Sequence, residues 1–381
     1  MKKILIVHNK YLNLGGEDLV VLNETKLLSK KYEVKNLYFQ NSSRLEIYDF
    51  ISFLFGINFK SLKIIKNIIN EFNPDIVYFH NLWFKINIKT VLKSCKNIPY
   101  IFIKQHNLRH ECIQGMHYRK EELCHLCQTN NRLQGIKNKC YHQSFFRSIF
   151  MTLFSQRYLK LLRNEKVKVL TFSRFHIDRL ITNKVKKENI SILNNFIEKD
   201  SLNNLNFNYP EDFICFVGRA SREKGVHLII EAYEKSNFNK TKLLIIGNIY
   251  QDINPSDYSD NQNIIFKNQL PNDEVQYLMK KAKAIILGSI AYEGHPVTLS
   301  EALISNTLLI YPSFSGLDEL MPKNYDFSYE HNNVKDLVKK LNLLSDIEIC
   351  SKNKLLIKNF KKENYKEEVF FSQFDNLIKK V

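Results

Sequence analysis

The chain has 381 residues, 44% of them apolar, and a formal net charge of +17. That length exceeds what one core usually serves, so two domains are expected. The positive excess calls for anionic partners or a diffuse lysine-rich surface, and no compact nucleic-acid recognition motif is present, so nucleic acid is not an expected partner. No run reaches the ~18 apolar residues of a membrane-spanning helix. Seven cysteines, an odd count without a signal-like leader, argue against a disulfide scaffold. A cytoplasmic protein is expected, peripheral to the inner face of the cytoplasmic membrane if it docks there.

Short apolar runs alternate with amphipathic segments along most of the chain. Lys3–His8, Val34–Phe39, Asp75–His80, Tyr100–Lys104, Lys168–Phe172 and Ser191–Leu193 read as strands, with helices such as Asp18–Lys30 and Ser61–Glu71 between them. The polar stretch Asn203–Asp212, with Pro210, reads as a linker. The pattern then restarts with strands at Phe213–Val217, Lys242–Ile246, Asn263–Phe266, Ala284–Leu287 and Leu308–Tyr311. Helices Val226–Lys235, Asp273–Lys281 and Val297–Ile304 separate them. Apolar strands alternating with helices imply parallel sheets covered on both faces. The expected domains are 1–205, with a cysteine-rich insertion at about 107–145, and 206–360, followed by a helical tail at 361–381. In such folds ligands bind at the carboxyl ends of strands, so the chemistry belongs in the loops there.

Four loops fit that placement. The first strand leads into Gly15-Gly16-Glu17, and paired glycines can let a ligand approach the backbone or can form a plain turn. The fourth strand ends at His106-Asn107, where a histidine can donate a hydrogen bond or move a proton near neutral pH. His80-Asn81 is a second such pair. In the second half, Gly218 and Gly225 bracket Arg219 and Lys224, two cations on a glycine-bounded loop that suits a diphosphate. Glu293 and Glu301 flank the start of the last helix. In the segment Pro296 to Leu299, the backbone amides that follow the proline, those of Val297, Thr298 and Leu299, would offer an anion cradle at a positive dipole end.

Taken in order, Gly15-Gly16-Glu17, His106-Asn107, Ser173-Arg174-Phe175, Asn195-Phe196, Phe216-Val217-Gly218-Arg219 with Glu223-Lys224-Gly225, and Glu293 with Glu301-Ala302-Leu303 resemble glycosyltransferase family 4 over nearly the whole chain. The resemblance implies a GT-B fold, α/β with two Rossmann-like doubly wound domains facing a cleft, and a retaining mechanism. It implies that Arg219 and Lys224 hold the donor diphosphate, that Glu293 contacts the donor sugar and that Glu301 bonds the ribose hydroxyls. Gly15, Gly16 and Gly218 would approach the donor, and His106 would stand near the reacting sugar. No metal is implied for the chemistry. The expected partners are a nucleotide-diphosphate sugar and a glycan or lipid-linked oligosaccharide acceptor. The expected product is a bacterial surface glycan such as O-antigen, capsule or exopolysaccharide. The chain departs from the family at His295, at Pro296 and at Asn306-Thr307-Leu308.

Cys112, Cys124, Cys127 and Cys140 could close a structural zinc site around Cys124-His125-Leu126-Cys127, or could be reduced free thiols. Ile47–Phe59 is rich in Phe and Ile. Phe145–Leu162 mixes aromatic and basic residues, as a helix lying on an anionic membrane does and as a core helix also can. Two other readings share these residues: a nucleotide-sugar epimerase or another GT-B-fold enzyme such as a glycogen-type phosphorylase, and a non-catalytic nucleotide-sugar-binding module.

Overall fold

The computed structural model describes residues 1–11, 15–41, 46–128, 131–196 and 209–379. The chain divides into two compact units. The first comprises Met1–Arg119, Cys124–Phe196 and the chain from Phe370 onward; the second comprises Ile197–Val369 with Lys120–Leu123. Most of the linker expected at Asn203–Asp212 lies outside the described residues.

The first unit is built on six strands: β1 (Lys3–Lys10), β2 (Glu33–Gln40), β3 (Ile76–Phe79), β4 (Tyr100–Lys104), β5 (Val167–Thr171) and β6 (Ile190–Ile192). They pair in parallel in the order β2-β1-β3-β4-β5-β6. Ile4, Leu5, Ile6 and Val7 are all fully buried, because consecutive side chains point to opposite faces and both faces are covered. Leu5, Val7, Val77 and Phe79 serve one face. Ile4, Ile6, Ile76 and Tyr78 serve the other, where Phe370, Phe374, Leu377 and Ile378 of the C-terminal helix Glu367–Lys379 also pack.

The second unit has β7 (Phe213–Val217), β8 (Lys242–Ile246), β9 (Ile264–Lys267), β10 (Ala284–Ile286), β11 (Leu308–Ser313) and β12 (Ser328–Glu330). Their order is β9-β8-β7-β10-β11-β12, again parallel. Both units are thus Rossmann-like doubly wound α/β sheets. The strand order reverses between β1 and β3 in one and between β7 and β10 in the other. At these switch points the loops leaving neighbouring strands diverge and open a crevice.

Two features differ from the expectation. β12 is only three residues long and its Ser-Tyr-Glu sequence carries no apolar run. The tail beginning at 361 does not act as one piece: helix Ile347–Asn364 stays with the second unit, and the helix after it returns to the first.

Candidate functional site

In the second unit the loops after β7 and β10 flank the switch point and are stitched together. The Glu223 carbonyl accepts the amides of Ile290 at 3.0 Å and Ala291 at 3.2 Å. Gly225 has φ +67, and a Cβ there would lie 1.9 Å from the Gly288 carbonyl oxygen, so only glycine lets the two loops meet. This contact sets the cations against the carboxylates. Lys224 Nζ and Ser289 Oγ both bond Glu293 Oε1. Ser315 pins the same residue by accepting the Glu293 amide at 3.0 Å and donating to its carbonyl at 2.7 Å. Arg219 pairs with Glu223 at 2.7 Å, and its guanidinium lies 5.6 Å from the Tyr250 ring centroid. Gly218 has φ +148, and its carbonyl oxygen is where a Cβ on Gly247 would fall.

The helix Val297–Ser305 opens beside this cluster, and Thr298 Oγ1 donates to the Val217 carbonyl at the end of β7 at 3.2 Å. Pro296 is its cap rather than its first residue. The Leu299 amide bonds the Pro296 carbonyl at 3.1 Å, so the first-turn donors left for an anion narrow to Val297 and Thr298. His295 turns inward to Ser300 Oγ at 2.8 Å and the Tyr365 hydroxyl at 3.2 Å. It therefore braces the helix. Glu301 sits one turn further in, 8% exposed, and among the described residues no protein group donates to its carboxylate. Burial raises its pKa to about 7.

The first unit holds the remaining candidates. Gly15 caps helix Gly16–Leu28 with extended backbone, and its amide donates to Asp18 Oδ2 at 2.8 Å. Neither Gly15 nor Gly16 has positive φ. His106 stacks on His80 at 5.3 Å between centroids, with His106 Nε2 and His80 Nδ1 3.0 Å apart. Burial holds His80 well below the usual histidine range, as do the nearby charges of His106, His8 and Lys104, so it is a neutral support for His106. Beneath them lies the buried pair Lys104–Glu24, with Tyr78 donating to Glu24 at 2.8 Å. Burial pushes Glu24 up and Lys104 down, and each is drawn back by the other's charge.

The cysteine lobe is irregular. It contains a two-stranded ribbon of Tyr118–Arg119 and Glu122–Leu123 and the short helix Leu133–Lys137. Cys112, Cys124, Cys127 and Cys140 are all free thiols. They lie near enough that Cys112, Cys140 and Cys124 each disfavour a thiolate on Cys127, whose pKa rises to about 12, first through burial. Among the described residues no three His, Cys, Asp or Glu side chains converge as a ready set of metal ligands.

Residues 198–375 match the model of the family described as glycosyl transferases group 1. That match spans the second unit and its cation–carboxylate cluster. A search of curated proteins gave no significant match. Among solved structures, a glycosyltransferase from Rickettsia africae aligns with TM-score 0.66 at 16% identity, covering 100% of this chain and 98% of that one. HepE of Anabaena, solved with UDP, aligns with TM-score 0.63 at 13% identity over all of both chains. The lipopolysaccharide outer core galactosyltransferase WaaB aligns with TM-score 0.60 at 17% identity, covering 99% of each. The fold is accordingly that of the GT-B glycosyltransferases.

Several participants were not singled out from sequence. Ser289 and Ser315 orient Glu293; Ser289 shares the glutamate's loop, whereas Ser315 follows a later strand and gave no local signal. Glu17 and Asn107 stand inside the quoted motifs without a role of their own, and Arg109 lies two residues past His106-Asn107.

Proposed function

We propose that the protein is a retaining glycosyltransferase of family 4 that moves a sugar from a nucleotide diphosphate to a growing, lipid-linked bacterial surface glycan. One observation carries the reading. Lys224, Glu293, Arg219 and a helix N-terminus meet at the switch point of the second sheet, beside a buried carboxylate that no protein donor among the described residues satisfies. That set is complementary to a nucleotide sugar. Glu301 accepts the ribose hydroxyls, the Val297 and Thr298 amides meet phosphate, and Glu293 meets the sugar. As the bond from the anomeric carbon to the diphosphate oxygen breaks, its electron pair goes to the leaving group. Arg219 and Lys224 offset the charge that develops there. The acceptor oxygen bonds the same carbon, and its proton passes to the departing diphosphate oxygen. HepE was also solved with UDP-glucose, which supports a uridine nucleotide as the donor class.

Peripheral membrane association belongs to the same proposal, with its location moved. Helix Phe145–Leu162 is largely core, with Met151, Phe154, Tyr158 and Leu162 buried and only Phe145 and Phe146 strongly exposed among its large apolar residues. The exposed apolar face belongs instead to helix Ile47–Phe55, through Ile47, Phe50, Leu54 and Phe55. Exposed Lys60, Lys63 and Lys66 follow on the next helix, a charge pattern complementary to anionic lipid.

The decisive measurement is transfer from a panel of uridine-diphosphate sugars. Arg219→Ala and Lys224→Ala should each slow transfer by roughly tenfold or more, the scale of a lost transition-state charge contact. Rates like the parent in both variants would refute the assignment, as would an absence of nucleotide-sugar turnover in the parent.

A further inference from the structure

An open cavity lies at the switch point of the first sheet, lined in part by Glu17, His106, Asn107, Arg109, Trp83 and Tyr158. The aromatic rings of Trp83, Phe154 and Tyr158 give it an apolar wall, with Trp83 and Phe154 4.7 Å apart between centroids. Trp83 is held in place because its Nε1 donates to the Tyr141 hydroxyl at 2.9 Å.

The charges around it are unequally satisfied. Lys104 is bonded to Glu24. Both oxygens of Glu17 are engaged: the Tyr11 hydroxyl donates to Oε2 at 2.8 Å and Asn107 Nδ2 to Oε1 at 3.0 Å. His80 and His106 are bonded to each other. Arg109 differs. Its guanidinium reaches the Tyr11 hydroxyl and feels the charge of Glu17, yet Nε and Nη1 are shut off from solvent with no partner among the described residues. Its backbone is fixed, since Ser155 Oγ donates to the Arg109 carbonyl at 2.6 Å. A buried donor without an acceptor is costly, and a guanidinium stays charged, so the group that completes Arg109 is an anion. Glu17 already accepts a bond on each oxygen, and among the described residues neither Arg109 Nε nor Nη1 bonds it.

We propose that this cavity takes an anionic acceptor sugar, its carboxylate or phosphate on Arg109 and its ring against Trp83 and Tyr158. The inference rests on the glycosyltransferase reading and narrows the acceptor within it. Carboxylate and phosphate share the chemistry that Arg109 recognises.

The test uses the whole chain saturated with UDP. Glucuronate, glucose 1-phosphate and glucose are titrated against it by ligand-observed NMR. Each supporting outcome has an acidic sugar binding at least about tenfold more tightly than glucose, the scale of a charge-assisted hydrogen bond. Preference for glucuronate assigns a carboxylate, and preference for glucose 1-phosphate assigns a phosphate. In Arg109→Gln the gap should close while UDP affinity, a property of the second unit, stays unchanged. Glucose binding as tightly as both acids, no binding of either acid, or a gap that survives Arg109→Gln overturns the proposal. Because the parent comparison decides alone, a poorly folding variant does not rescue it. Loss of UDP binding in the parent would instead count against the glycosyltransferase reading.

Discussion

Glu301 is the residue whose titration can be read most directly. Its ordinary value of 4.5 rises to about 7, and burial is the cause. Below pH 4.5 the carboxyl is neutral folded or unfolded and costs nothing. Between 4.5 and 7 the unfolded chain ionises it first, so the folded state loses stability as pH rises, and above 7 the whole cost is present. That displacement corresponds to about 3 kcal/mol. Chemical denaturation of the nucleotide-free protein should show Glu301→Gln matching the parent near pH 4.5 and exceeding it by that order at pH 8. A pH-independent difference would show that the carboxylate is not desolvated. In the proposed function ribose hydroxyls donate to the charged form, so UDP binding should release protons below pH 7 and tighten as pH rises toward 7. Calorimetry in buffers of different ionisation heat would detect the release, and Glu301→Gln should abolish it. The loops that carry Glu293, the cation pair and His106 were legible because each follows an apolar strand, where chain direction aims a loop at a crevice, whereas Glu301 lies within a helix. Ser289, Ser315 and Arg109 were not: Ser289 bonds a glutamate four residues on within one loop, Ser315 reaches it from 22 residues away, and the burial of Arg109 is encoded by no local pattern.

The strands were easier to read than the helices' partners. Ten of the sheet strands are near-continuous apolar runs, since both faces of a parallel sheet are buried, and their bounds depart little from those runs. β12 escaped because a three-residue edge strand buries only Tyr329. Helix Ile47–Phe55 shows the opposite difficulty. Its composition is apolar nearly all round, which by itself indicates burial. Only the structure separates Phe53, stacked at 5.0 Å on Phe150, from the exposed Phe50, Leu54 and Phe55. Vesicle flotation tests the consequence. The parent should float with vesicles containing anionic lipid, and Leu54→Asp with Phe55→Asp should float several-fold less while melting as the parent does. Binding that is absent from anionic vesicles, or indifferent to these exposed positions, would end the membrane reading. Retention on neutral vesicles alone would remove the role of Lys60, Lys63 and Lys66.

At the level of the whole chain, the last helix ties the C-terminus to the unit that contains the N-terminus. The polypeptide completes the second sheet, runs through Ile347–Asn364 and then contributes Glu367–Lys379 to the first core. Phe374 is fully buried there, with its ring 5.7 Å from Tyr32 and 6.0 Å from both Tyr78 and Phe102. Asp375 adds a bond to Lys31 at the rim. Removing a buried phenyl ring leaves a cavity that a close-packed sheet–helix interface cannot refill, at a cost of ~3–5 kcal/mol. Because the ring packs on the face formed by Ile76, Tyr78 and Phe102, the loss should appear first in β3 and β4. Hydrogen exchange on Phe374→Ala should therefore show reduced protection in β1, β3 and β4 and parent-like protection in β7 and β8. UDP should raise protection in the second unit of both proteins by a similar amount, since linkage acts on the state that binds the nucleotide. Uniform loss of protection across both sheets would show that the helix stabilises the chain as a single cooperative body, and unchanged exchange in β3 and β4 would show that it contributes nothing to the first core.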